Sequence, residues 1–115
     1  MDIFQKAAGE PQVAGGSQVL RSSELEWVKE SVDGFWSKEL YSDPDTGKTT
    51  ILMKVDAGAF AGDHTHDTLE QVYVIEGSFY DQETTYIAGD YVVRRAGTVH
   101  RTGSEDGALV LVVFG

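Results

Sequence analysis

The sequence predicts an all-β domain, a sandwich or a barrel. Three observations carry that reading. Turn signals built from Gly, Pro, Asp and Ser recur at short intervals along the 115 residues, the segments between them are rich in β-branched and aromatic side chains, and helix signals are scarce. A chain of this length has room for one hydrophobic core, so a single domain is expected over residues 23–115, preceded by a loosely ordered arm over residues 1–22 that contains Gly9, Pro11, Gly15 and Gly16.

The elements follow in order. Ser23-Glu24-Leu25-Glu26 has the pattern of a capping box that opens a short helix, but an extended run through Trp27 and Val28 fits equally, and the extended reading is adopted. Phe35 to Tyr41 reads as a strand that meets Asp43-Pro44-Asp45-Thr46-Gly47, where Pro presets the turn and Gly accepts a positive φ, and the chain returns as Thr49 to Val55. In that return strand Ile51, Met53 and Val55 alternate with Thr50, Leu52 and Lys54, which assigns the first set to the interior. Gln71 to Tyr80 is a strand interrupted by Gly77, Thr84 to Ala88 pairs back on it, and Gly89-Asp90 starts Tyr91 to Arg95. Ser104-Glu105-Asp106-Gly107 is the last turn before a final strand, Ala108 to Phe114.

Composition narrows the function. With 9 basic and 19 acidic residues the formal charge is −10, which opposes phosphate backbones and anionic membrane surfaces, so no nucleic acid and no membrane partner is expected. The longest apolar run, Ala108 to Phe114, falls far short of the roughly 20 residues of a membrane helix. The first residues, Met1 to Lys6, lack the basic head and apolar core of a secretory signal, and zero cysteines exclude disulfides and thiolate ligands; a cytoplasmic protein is the expectation.

The chemistry concentrates in the histidines. His64, His66 and His100 are the chain's three, and Glu70 lies four residues past His66. Imidazole nitrogens and a carboxylate are the donors that first-row divalent metals accept, and near pH 7 both are already in the ligand state. A spacing of two sends His64 and His66 to the same face of a strand, where a helix would need three or four. Glu70 has the parity of His66 and can join that face after a bend through Asp67-Thr68-Leu69, while His100 has to arrive from another strand. No Ser-His-Asp arrangement is left once the histidines are assigned to a metal.

Gly58, five residues, His64-x-His66, three residues, Glu70, six residues and Gly77 resembles the first motif of the cupin superfamily at every spacing. The second motif is partly kept: Gly89, five residues, Arg95 where the family usually has Pro, Gly97 two further on, His100 three beyond that, and Ser104 where Asn is usual. The resemblance implies a jelly-roll barrel, the cupin double-stranded β-helix, with His64, His66, Glu70 and His100 around one divalent ion, Fe2+ or Zn2+ first and Ni2+ or Mn2+ as alternatives. In some cupins the histidines alone bind the ion and the carboxylate accepts an imidazole N–H instead. Gly58, Gly77, Gly89 and Gly97 are read as turn and close-approach residues only.

Lys38-Glu39-Leu40, Asp43 to Gly47 and Val74-Ile75-Glu76-Gly77-Ser78-Phe79 are similar to a subgroup that contains the cupin half of zinc-dependent anti-sigma factors and small acetylacetone-cleaving dioxygenases. Two functions are thereby implied: a dioxygenase-like metalloenzyme acting on a small carbonyl or diketone compound, and a non-catalytic metal-dependent sensor or ligand-binding module. An intact anti-sigma factor is not expected, because the chain lacks the length and the thiols for a helical zinc domain.

Other residues carry weaker signals. Met53, Val72 and Val74 share the inner face, as core or as pocket lining, and Tyr73 faces outward. Arg94, Arg95 and Arg101 either offer a cation to an anionic ligand or are solvated surface. Leu109, Leu111 and Val113 lie on one face of the last strand and Val110, Val112 and Phe114 on the other, which calls for cover on both sides and favours a homodimer.

Overall fold

The computed structural model describes residues 1–6 and 15–115, so the part of the expected arm at 7–14 lies outside the described residues. Nine strands follow: β1 (Val28–Lys29), β2 (Phe35–Ser42), β3 (Thr49–Val55), β4 (Phe60–His64), β5 (Glu70–Tyr80), β6 (Thr85–Ile87), β7 (Tyr91–Arg94), β8 (His100–Gly103) and β9 (Ala108–Phe114). All pairings are antiparallel, in the order β1-β2-β3-β9-β5-β8-β4, with β6 and β7 also on β5. This is the two-sheet β-shell that the motif resemblance implies. No helix among the described residues is long and apolar enough to cross a membrane.

The strand bounds expected from alternation agree with those found to within a residue at most ends. Two places depart: His66, expected on a strand with His64, lies past the end of β4, and the start of the domain differs. Instead of an extended run from Ser23, a single 3-10 turn spans Ser22–Glu24, closed by the Leu25 N–H on the Ser22 carbonyl at 3.1 Å, with no side-chain cap. The Lys38 ammonium donates to that same carbonyl at 2.7 Å and holds the turn against β2. Lys38 and Lys54 then lie 4.6 and 5.0 Å from the Trp27 ring, an arrangement that packs the segment before β1 on the outer face through cation–π contacts.

Cross-strand registers build the interior in rows. Phe35 opposes Val55 and Val55 opposes Ala108; Met53 opposes Val110, which opposes Val74; Ile51 opposes Val112, which opposes Val72. Val74 and Val110 are fully buried, and Ile51 and Met53 pack against this core from its partly open end. Tyr73 lies on the other face, about half exposed. Period-two alternation therefore sorts these side chains correctly, since each strand has one face on the core.

Strand β5 is the seam. Its first half lies between β9 and β7, and its second half joins β6 and touches β8. The change of sheet falls at a register shift between Val74 and Glu76, followed by Gly77 at φ +76°. A Cβ on Gly77 would collide with the Gly107 carbonyl. Ser104 closes the same corner: buried, its hydroxyl donates to the Ser78 carbonyl at 2.6 Å and accepts the Gly107 N–H at 2.8 Å.

Gly77→Ala is expected to destabilise the fold by about 2–4 kcal/mol, since a strained φ and a steric overlap act together. Urea unfolding measures this, and an unchanged midpoint would contradict the close approach.

Candidate metal centre

Three strand ends and one connecting segment deliver the predicted site residues. His64 is the last residue of β4 and His100 the first of β8, and the two are direct partners across that pair. Glu70 is the first residue of β5, flanked by Arg94 of β7 on one side and Phe114 of β9 on the other. His66 lies just beyond the end of β4 rather than within a strand, so the two-residue spacing brings it to the site across a strand end that already carries a register shift between Ala61 and His64. Its carbonyl accepts the Gly97 N–H at 2.8 Å, which ties the two motif segments together without the usual Pro at Arg95. Gly97 takes φ +81° and the Thr98 N–H closes the turn on the Arg95 carbonyl at 3.1 Å.

The imidazoles face one another. The ring centroids of His64 and His100 are 4.2 Å apart, and His66 lies 5.3 and 5.4 Å from them. One donor nitrogen from each can be chosen so that all three lie within 4.8 Å of one another. His64 Nδ1 lies 2.7 Å from the Gly62 carbonyl and His100 Nδ1 3.4 Å from that of Thr98. A proton held at Nδ1 by a carbonyl leaves the Nε2 lone pair free, which is the tautomer a ligand requires. Burial pushes His100 down to about 4, and repulsion from Arg94 and His64 acts in the same direction. The ring is therefore neutral at physiological pH. Donor type, convergence and protonation state all fit a divalent transition metal.

Glu70 stands beside this trio. Its Oε2 is 3.2 Å from His66 Nε2, while Oε1 is 3.6 Å from His100 Nε2 and 3.4 Å from Arg94 Nε. Of the three arginines singled out in the sequence, Arg94 is buried and paired with Glu70 and Asp81, Arg95 is exposed, and Arg101 pairs with Asp63 at 3.1 Å on the surface. None of them lines the site cavity. The Arg94–Asp81 contact, at 3.3 Å, was not foreseen, and the available signal was parity, because Arg94 lies two residues from inward-facing Val92.

Asp81 is itself well held. Burial alone would raise its carboxyl, but hydrogen bonds from Tyr86 and from the N–H groups of Glu83 and Thr84, with Arg94 nearby, keep it below the ordinary carboxylate range. Tyr86 is correspondingly pushed up to about 12 by burial and by its hydrogen bond to Asp81.

The histidines open on a cavity of about 490 Å³ whose walls include Phe35, Ile51, Met53, Val72, Val112 and Phe114. Its mouth carries Glu30, Ser31 and Asp63, and no lysine or arginine among the described residues lines it. The Phe114 ring lies 4.9 Å from that of His66 and walls the site on the β9 side.

A family model described as the ChrR cupin-like domain matches residues 16–115. The chain belongs to that cupin family. Solved structures similar to this cupin include SigE in complex with the anti-sigma ChrR from Rhodobacter sphaeroides, with TM-score 0.70 and 22% identity over 83% of this chain and 51% of the matched one. An acetylacetone dioxygenase from Acinetobacter johnsonii matches with TM-score 0.74 and 18% identity, over 96% of this chain and 80% of that one. KdgF from Halomonas sp. matches with TM-score 0.71 and 25% identity, over 85% and 92%. The cupin thus spans about half the length of the chain it matches in the ChrR complex. No curated protein matches it in sequence.

The lowered His100 value has a consequence for the metal-free protein. The unfolded chain takes up a proton near the ordinary histidine value of 6.5 while the folded site resists until about 4, so protonation favours unfolding across that window. The His100 contribution is neutral above about pH 7, and stability is expected to fall as pH drops from 6.5 towards 4. Thermal melts of metal-free protein against pH, with His100→Gln as the control that loses this slope, measure the effect.

Proposed function

We propose that this cupin holds one divalent transition metal on His64, His66 and His100, next to Glu70, and acts as a dioxygenase-like metalloenzyme on a small, neutral carbonyl or diketone compound. The observation that supports this most is the pairing of an inward-facing histidine trio with an apolar cavity that lacks cations. When bound, the ion would supply a Lewis-acid centre for two oxygens of a chelating substrate and, as Fe(II), a redox-active one.

The chain's own residues supply the remainder. Gly62 and Thr98 carbonyls fix the rings of His64 and His100, so their Nε2 lone pairs stay aimed inward. Phe35, Ile51, Met53 and Val72 exclude water and accept the hydrocarbon part of a substrate. Glu70 offers Oε2 as the acceptor for the proton a diketone loses on enolising. Glu30 and Asp63 at the mouth disfavour carboxylates and phosphates.

A second reading rests on the family match itself. Similarity to a chain of the SigE–ChrR complex supports a non-catalytic, metal-dependent sensor within a longer protein, with the cavity receiving an effector that is not turned over. A homodimer and a cytoplasmic setting remain part of the proposal; the exposed Tyr73, Tyr91 and Val93 on the outer sheet face support a contact between copies.

Oxygen uptake by the Fe(II)-loaded protein across neutral diketones, hydroxyketones and their carboxylate analogues tests the enzyme. Turnover of neutral diketones is the expected result, with carboxylate analogues poorer. No uptake with any of them, together with a rise in melting temperature on adding one, favours the sensor. Independently of activity, His64→Ala, His66→Ala and His100→Ala are each expected to weaken metal binding by more than the roughly 10–100-fold that loss of an outer partner causes. Metal analysis after dialysis checks this, and a variant that keeps its full metal content removes that residue from the ligand set.

A further inference from the structure

An apolar space of about 150 Å³ is enough to take one benzene ring, whereas the cavity beside the histidines holds about 490 Å³. Its extent can be followed along the strand registers. At the level of the site Glu70 opposes Phe114. One row further along, Val72 opposes Val112 and Val112 opposes Ile51, and all three line the cavity. Successive rows are two residues apart, or roughly 7 Å along a strand.

Beyond that level the cavity narrows. In the next row Val74 and Val110 are fully buried and only Met53 lines it; in the last row only Phe35 does, with Val55 and Ala108 packed away in the core. From the other sheet Ala61 and Thr102, the pair next to His64 and His100, contribute short side chains. Between Glu70 and the acids of the mouth, no charged residue lines the cavity among the described residues. A head group at the histidines therefore leaves a tapering, uncharged space of about 14 Å from the Glu70 row to the Met53 row, longer than a five-carbon diketone and suited to an unbranched chain.

We propose that the ligand of this site is a medium-chain compound, with a neutral oxygenated head at the histidines and an unbranched hydrocarbon tail of about six to ten carbons along Ile51 to Met53 and Phe35, Met53 setting the tail length. The proposal rests on the metal and carbonyl reading for the head and adds the tail to it. Each methylene that enters the apolar space tightens binding by about threefold to fourfold, and methylenes beyond it contribute nothing.

Calorimetric titration of the Zn(II)-loaded protein, whose ion has no redox chemistry, with straight-chain 2,4-diketones and 2-ketones of rising length reads the tail apart from the head. The diketone dissociation constant is expected to fall about threefold per added methylene and to level off at a tail of about six to ten carbons, with the heat-capacity change growing more negative over the same range. Met53→Trp should bring the levelling point about two carbons earlier and Met53→Ala about two carbons later, opposite shifts that a merely structural role would not give. If either variant does not fold, the parent series decides the tail by itself. Affinity that is flat with length in both series, or that climbs past about twelve carbons without levelling as surface partitioning does, overturns the tail. A levelling point that neither variant moves removes Met53 from its role. Length-dependent binding of 2-ketones that levels off, with no binding of any diketone, supports the tail and removes the diketone head. Binding of the five-carbon diketone with a flat series keeps the head and removes the tail, and no binding in either series overturns both.

Discussion

Three uncharged imidazoles turned toward one point are the condition on which the site depends. A protonated ring is no ligand, and three protonated rings at this separation would repel one another. The fold meets the condition with backbone more than with side chains. Carbonyls of Gly62 and Thr98 fix the tautomers of two rings, the β4–β8 register sets His64 opposite His100, and enclosure keeps His100 from taking a proton. The carbonyl of His66 is in turn held by Gly97, so the segment bearing one ring is fastened to the turn that leads to another.

A row of charge runs beside the trio. Asp81, Arg94 and Glu70 alternate in sign from the rim inward, ending at the imidazoles. Such a buried chain is weak as a source of stability, since removing its members from water opposes their mutual attraction. Its value is geometric. It fixes one carboxylate beside the histidines, in a cavity whose walls also carry Phe35, Ile51, Met53, Val72, Val112 and Phe114.

Much of this was legible in the residues. Alternation at Ile51, Met53 and Val55 identified the inner face, and Gly58, Gly77, Gly89 and Gly97 all take the positive φ that their places in the motifs imply. The histidine trio was readable from the motif spacing; strand parity did not extend to His66, which lies past the end of β4. Other features were not legible, for physical reasons. Arginine has a strong surface prior, so the inward parity of Arg94 was outweighed, and its partner Asp81 lies in a turn that carries no periodic signal. The Ser23-Glu24-Leu25-Glu26 pattern offered a helical turn that the extended reading set aside, and the Lys38 ammonium that contacts the Ser22 carbonyl lies 16 residues away, beyond any local signal.

Two strands of the sheet path differ in how they are held. Strand β5 belongs to both sheets, so that corner cannot part without breaking its own ladder. Strand β4 is the opposite case: it ends the path, pairs with β8 alone, and carries His64 at its tip. Motion in such a shell concentrates where the ladder is thinnest. His64 at the tip of β4 and His66 just past it thus depend on an edge strand held from one side, so any loosening of β4 from β8 would disturb two of the three donors together.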